Sequence, residues 1–318
     1  MGLIKEEQQA GVRINDPNNP GRIYFSGKGL DYPFHTKFIN RRRLSALRRE
    51  SQLQVKDMIA KVNGILKEMN AGTGFSYETV KSDYARNLVR ERHIAKALRI
   101  FMESKYNTEK ERKDFLKALY GGKESKAALT NPAQLENELR GNLLKSGGRA
   151  FVEENQKAFL DLSKIISIIR NAGGIPCYPV LLDDKNGNFT EFESNPEALL
   201  SKLEGENIHC LELIPGRNDL NILEKFVQFF YEHRFIITFG TEHNSPGMIP
   251  LRISARGNVA LNDHLNRINY EGACIIAAHQ YLRVQGQQGF INKNGTWALD
   301  KKDEYAKLGR AVINYFIK

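Results

Sequence analysis

The stretch Phe235-Ile-Ile-Thr-Phe-Gly-Thr-Glu-His-Asn244 decides how this chain is read. Apolar and β-branched residues run into a glycine, and a carboxylate, an imidazole and an amide follow. A strand buried on both faces of a parallel sheet has this continuous apolar character. Its carboxyl end would present Glu242 and His243 at the edge where open α/β sheets and barrels place their ligands. Glutamate and histidine are also the oxygen and nitrogen donors that a divalent hydrolytic metal takes.

Working outward, the pattern repeats. An amphipathic helix, 219–233, leads into that strand, and Ile208-His-Cys-Leu-Glu-Leu-Ile214 reads as the strand before it. A short helix, 196–203, a turn at 183–188 and a strand at 175–182 come earlier still. Helices at 261–284 and 303–317 close the chain. Alternating strands and helices with brief connections predict a parallel α/β arrangement. The carboxyl ends of the three strands would then gather Asp183 and Asp184, Glu212 with Pro215-Gly-Arg217-Asn218, and Glu242-His243-Asn244. Carboxylates and an imidazole beside a guanidinium suit metal-assisted hydrolysis of a phosphate ester, with arginine holding the anion.

Residues 35–165 read differently. Leu44, Leu47, Val55, Met58, Ile59, Val62, Ile65 and Leu66 recur at helical spacing, and further helices are predicted at 77–103, 108–119, 131–145 and 150–172. This region holds 27 Lys plus Arg against 16 Asp plus Glu, while the rest of the chain is nearly balanced, so all of the net +10 resides in it. A basic surface attracts polyanions such as nucleic acid. Residues 1–34 are rich in turn formers and read as an extended, loop-rich segment. Ser26-Gly-Lys-Gly29 reads as a turn, because the phosphate-binding loop needs four residues between its first glycine and Gly-Lys, then Ser or Thr. The expected organisation is an extended segment 1–34, a basic helical module 35–165 and an α/β portion 166–318.

Bulk properties exclude several classes. No apolar run reaches the length of a bilayer span, and Met1 to Gln9 lacks the apolar core of a secretory signal. Cys177, Cys210 and Cys274 are far apart, which fits neither a disulfide framework nor a zinc knuckle and predicts a reducing, cytoplasmic setting. His209, His233, His264 and His279 sit on apolar or capping positions and read as structural. Trp297, the single tryptophan, reads as a packing anchor.

Several short motifs resemble the polymerase-and-histidinol-phosphatase (PHP) superfamily of metal-dependent phosphoesterases. Phe239-Gly-Thr-Glu-His-Asn244 is similar to that family's late strand signature Gly-Ser-Asp-x-His, with Glu242 at the aspartate position and His243 one residue early. Cys210-Leu-Glu-Leu-Ile214 resembles its Gly-(Ile/Val)-Glu-(Val/Ile) strand, and Ile175-Pro-Cys-Tyr-Pro179 its Ala-His-Pro strand without the histidine. Val89-Arg-Glu-Arg-His-Ile-Ala-Lys-Ala-Leu98 is similar to an Arg-Pro-His-Ile-Ala-x-Ala-Leu segment in a helical insertion of members acting on nucleotides and short RNA.

The resemblance covers residues 86–100 and 166–245. It implies an α/β fold that is a partial PHP-like, TIM-like (β/α) barrel of parallel strands with an all-helical inserted module. It implies divalent metal (manganese, zinc or magnesium) held by Glu242, His243 and Glu212, with Glu242 and His243 catalytic. It also implies a phosphorylated small molecule or short nucleic acid bound by Arg92, His93, Arg217, Asn218 and Asn244. The family's opening His-x-His strand has no counterpart, since His35 stands alone. The chain is therefore expected to be a carboxyl-terminal portion, completed by an amino-terminal half or a partner chain, or a relative with a reduced metal site. The alternative expectation is a non-catalytic protein that grips nucleic acid through the basic helical module.

Overall fold

A computed structural model describes residues 1–72, 74–184, 186–241 and 250–317. In the first segment β1 (Gly2–Leu3) pairs antiparallel with β2 (Arg22–Ile23), and one short helix, α1 (Lys5–Gln9), lies between them in sequence. Ser26–Lys28, expected as a turn, is instead a strand, β3, paired antiparallel with β4 (Ile175–Pro179) in the register Ser26↔Cys177. A Cβ on Gly27 would come within 3.0 Å of the Ile169 side chain, so glycine lets this strand lie close to the helix preceding β4.

The chain divides into two compact units. The described residues of 43–158 form one, and those of 1–42, 159–241 and 250–317 form the other. The helical unit takes most of α2 (Phe38–Glu68), then α3 (Tyr77–Tyr84), α4 (Glu91–Lys105), α5 (Glu109–Leu119) and α6 (Pro132–Leu139), which continues into a π turn at Arg140–Leu144. Its core joins Val62, Leu66, Val80, Ile94, Leu98, Met102, Leu116, Leu135 and Leu143. The helix starts follow capping chemistry. Ser76 accepts from Thr79 N–H (3.0 Å), Asn131 from Gln134 N–H (3.1 Å), and Thr108 and Glu111 cap each other.

The single helix expected at 77–103 is broken. Gln52 on α2 accepts from Val89 N–H (3.0 Å) and donates to the Val89 carbonyl (3.2 Å), holding that residue out of the helix between α3 and α4. The helix expected from 150 begins only at Leu162. Side chains of Lys61 and Gln54 occupy the carbonyls of Phe151 (2.6 Å) and Val152 (2.8 Å), which a helix would otherwise use.

In the other unit α7 (Leu162–Asn171) precedes β4. Then come α8 (Pro196–Gly205), β5 (Cys210–Leu213), α9 (Leu220–Glu232) and β6 (Ile236–Phe239). A hairpin, β7 (Ser254–Ala255) and β8 (Val259–Ala260), leads to α10 (Asp263–Val284) and α11 (Lys302–Phe316). The sheet runs β3-β4-β5-β6, with β4, β5 and β6 parallel. The parallel α/β expectation is met. The described strands form an open four-stranded sheet, and no barrel closes among them.

Side chains alternate between two cores, as the pleat requires. Tyr178, Leu211, Leu213, Ile237 and Phe239 join the cluster that includes Leu199, Leu203, Leu223, Phe226 and Phe230 of α8 and α9. Cys177, Cys210 and Ile236 face the other way, toward Ile275 of α10 and Phe290. α10 can approach β6 closely because Gly272 has no side chain, and a Cβ there would run into the Ile237 carbonyl. Among the described residues no helix is long and apolar enough to cross a membrane.

Candidate functional site

The three parallel strands bring their carboxyl ends to one edge, and the loops leaving that edge are tied together by buried polar groups. After β4 the chain turns at Leu182, whose φ of 61° is the left-handed region that a branched side chain adopts only under constraint. Glu193 supplies the constraint. Its enclosed carboxylate accepts from the Tyr178 hydroxyl (2.6 Å) and from the N–H groups of Leu181 (3.1 Å) and Leu182 (2.6 Å). Burial pushes the Glu193 carboxyl up to about 7, although each of these hydrogen bonds favours its ionised form.

The next residue, Asp183, is fully enclosed at 0% exposure. Asn218 Nδ2 donates to its Oδ1 (2.8 Å), and Arg256 Nη2 donates to its Oδ2 (2.7 Å). The same guanidinium reaches the carbonyl of Asp184 (2.6 Å), and its Nε reaches that of Arg217 (2.9 Å). Arg256 N–H also donates to the Asn218 carbonyl (2.9 Å). The loops after β4 and β5 and the β7–β8 hairpin are thus stapled around one carboxylate. Sequence reasoning brought Asp183 and Asn218 together but passed over Arg256 and Glu193.

Asn218, expected to hold phosphate, lies in the interior at 0% exposure. Its amide nitrogen is committed to Asp183 and to the Leu181 carbonyl (3.1 Å), so contact with a ligand would require this knot to open. Arg217 is half-buried in the short turn Pro215–Arg217, with its carbonyl held by Arg256.

Glu212 lies near the end of β5, on the face of Cys210, and its Oε1 is ion-paired with Lys28 of β3. Burial lowers the basicity of the Lys28 ammonium, but the neighbouring Cys177 and the hydrogen bond and charge of Glu212 more than offset this, and its pKa ends above the usual lysine value. A Cβ on Gly240, just past β6, would lie 3.7 Å from Glu212 Oε1, so the strand that leads toward residue 242 passes beside this carboxylate. Glu242, His243 and Asn244, the centre of the expected site, lie outside the described residues.

Arg92 and His93 belong to the helical unit, in the first turn of α4. Arg92 is exposed. His93 Nδ1 accepts from Arg90 N–H (3.0 Å), which caps the helix and fixes the ring proton on Nε2. Partial burial, then the positive fields of Arg92, Arg90 and Lys96, hold His93 below the ordinary histidine range. Any phosphate contact by His93 at neutral pH would therefore come from a neutral Nε2–H donor. His279, read as structural, is fully buried, with Nε2 donating to the Gly173 carbonyl (2.6 Å) and Nδ1 accepting from Phe290 N–H (3.0 Å).

The fit to a metal ion is incomplete. Among the described residues no group of three or more His, Cys, Asp or Glu side chains could hold one. Asp183 has both oxygens committed, and Glu212 keeps only Oε2 clear of Lys28. The described residues do not form a metal site by themselves.

No family model matches the chain, and no curated protein matches it. Among solved structures it is similar to a protein from Bifidobacterium adolescentis inferred to be a metal-dependent phosphoesterase, at a TM-score of 0.40 and 13% identity. The alignment covers 70% of this chain, and the chain spans 63% of the length of that neighbour. A similarity of this size assigns neither family nor activity.

Proposed function

We propose that the carboxyl edge of the sheet belongs to a PHP-type, metal-dependent phosphoesterase acting on a nucleotide, a short oligonucleotide or another phosphorylated metabolite. The observation that carries this reading is the pair Glu212–Lys28, a carboxylate beside a cation at the point where β6 passes on its way to Glu242-His243-Asn244 in sequence. In this reading Lys28 and Arg217 draw the phosphate, and Glu212 offers its remaining oxygen toward a metal site built around Glu242 and His243. Further ligands of the His-x-His kind would come from another segment or a partner chain. The PHP-like order of motifs in the sequence supports the same assignment.

The test is manganese- or zinc-stimulated release of phosphate or nucleoside from nucleoside monophosphates and short oligonucleotides. Turnover should be abolished by His243→Ala and lowered about 10- to 100-fold by Glu212→Gln. Turnover indifferent to both substitutions would sink the proposal.

A second reading has its own observation. Between Tyr32 and Arg49 the sequence carries six Lys or Arg residues and no carboxylate. Tyr32 is 93% and Phe38 68% exposed, with Arg42 over the Phe38 ring. Exposed rings interleaved with cations are what single-stranded nucleic acid stacks on. In the same assay, absent turnover and absent metal, together with oligonucleotide retention that weakens steeply with salt, would favour this non-catalytic role.

A further inference from the structure

The opposite edge of the sheet carries a separate feature. Arg170 and Asn171 end α7, just before the turn into β4, and Glu206 follows α8 in the turn into β5. Because those strands are parallel, these residues lie together at the amino edge, away from the candidate site above. They line a cleft of about 230 Å³, joined by Ser163, Ser167 and Lys293. Positions 163, 167, 170 and 171 are spaced to share one face of α7.

The chemistry of the cleft favours an anion. Its charged groups are two cations and a single carboxylate, and two hydroxyls and a carboxamide accompany them. Arg170 is held in place rather than free to swing. Its Nη2 donates to the Asn207 carbonyl (3.1 Å), and Gly295 lies so close that a Cβ there would sit 2.6 Å from Nη1. Yet Arg170 Nε is buried with no hydrogen-bond partner, and the one carboxylate that acts on Arg170 is Glu206, from beyond ion-pair distance. Burial lowers the Arg170 pKa, and an oxyanion held beside the guanidinium would offset that desolvation. Asn171 Nδ2 donates to Ser167 Oγ (3.1 Å), which leaves that hydroxyl's proton to donate onward.

We propose that this amino-edge cleft is a phosphate-binding site, in which Arg170, Lys293 and Ser167 hold the phosphoryl oxygens of free phosphate or of a small phosphate monoester. It is independent of the phosphoesterase reading. The structure also provides its reporter. Trp297, the only tryptophan, donates from Nε1 to the Asn207 carbonyl (3.2 Å), the same oxygen that Arg170 binds. A change in the Arg170 environment is therefore one hydrogen bond away from the indole.

The experiment is a titration of the full chain with inorganic phosphate and, separately, with a sugar monophosphate, at constant ionic strength made up with chloride. It is followed by Trp297 fluorescence and by the Arg170 Nε–H resonance. Saturable shifts in both signals are expected. Lys293→Ala should weaken binding about threefold to tenfold, Glu206→Gln should tighten it by a similar factor, and Arg170→Gln should abolish it. Tighter binding of the monoester would identify a metabolite, and equal binding free phosphate. Lys293 and Glu206 are exposed, so their variants test the site even if Arg170→Gln folds poorly. Unmoved signals, or binding indifferent to both exposed substitutions, would overturn the assignment.

Discussion

Arg256→Ala should destabilise the sheet-bearing unit by about 3 kcal/mol, at the low end of what breaking a buried ion pair costs. The loss stays at that low end because the Arg256 side chain is one-third exposed, whereas Asp183 is completely enclosed. Removing the guanidinium leaves an enclosed, unpaired charge whose Oδ2 keeps only a long contact from Asp219 N–H (3.5 Å), and it frees the carbonyls of Asp184 and Arg217 at the same stroke. The double variant Arg256→Ala/Asp183→Asn should recover part of the loss, since no charge then remains buried. Denaturant unfolding of the four members of this cycle is the measurement. An Arg256→Ala midpoint equal to wild type would show that the knot does not hold the loops.

The second large effect depends on pH. Glu193 keeps its proton up to about pH 7 when folded, against about 4.5 when exposed in the unfolded chain. Between these values the unfolded form releases the proton first. The contribution of Glu193 to stability is therefore greatest below about pH 4.5, falls as pH climbs toward 7, and levels off above it. The shift corresponds to about 3 kcal/mol. Glu193→Gln should flatten this part of the stability–pH curve without disturbing the turn. A glutamine oxygen can accept from Leu181 and Leu182 N–H, while its nitrogen donates to the Tyr178 hydroxyl. Parallel wild-type and Glu193→Gln curves between pH 4.5 and 7 would mean that the carboxylate is ionised throughout.

The elements that were legible in the sequence are those whose signal is local. The apolar run into Phe239, the amphipathic face of α9 and the long periodicity of α10 each declare themselves within one window. β3 does not. Ser26-Gly-Lys28 has the composition of a turn, and it becomes a strand only because Cys177, 151 positions away, lies alongside. The candidate site divides in the same way. Glu212 was readable from the strand that bears it, and Asp183 from the strand before. Arg256 was not, because a lone arginine in a hairpin acquires meaning only from a carboxylate 73 residues earlier. Glu193 reads as an ordinary loop glutamate until the Leu182 turn is seen to need an acceptor. His93 is readable as polar, but its lowered pKa follows from burial and from the neighbouring Arg92, Arg90 and Lys96, which no short motif announces.

The pairing of β3 with β4 bears on the order of events as the chain folds. The whole helical unit is threaded between two hydrogen-bonded neighbours, so the sheet's first strand is synthesised long before the partner that fixes it. Closing so wide a span is forgiving for equilibrium stability, where each doubling of loop length costs about 0.6 kcal/mol. It is demanding for rate, because distant pairings must await closure. Collapse of the helices would shorten the effective span, which makes them the expected early folders and the annealing of β3 a late step. Stopped-flow refolding would show this as helical signal preceding burial of Trp297. Simultaneous recovery of both would assign the two units to one cooperative transition.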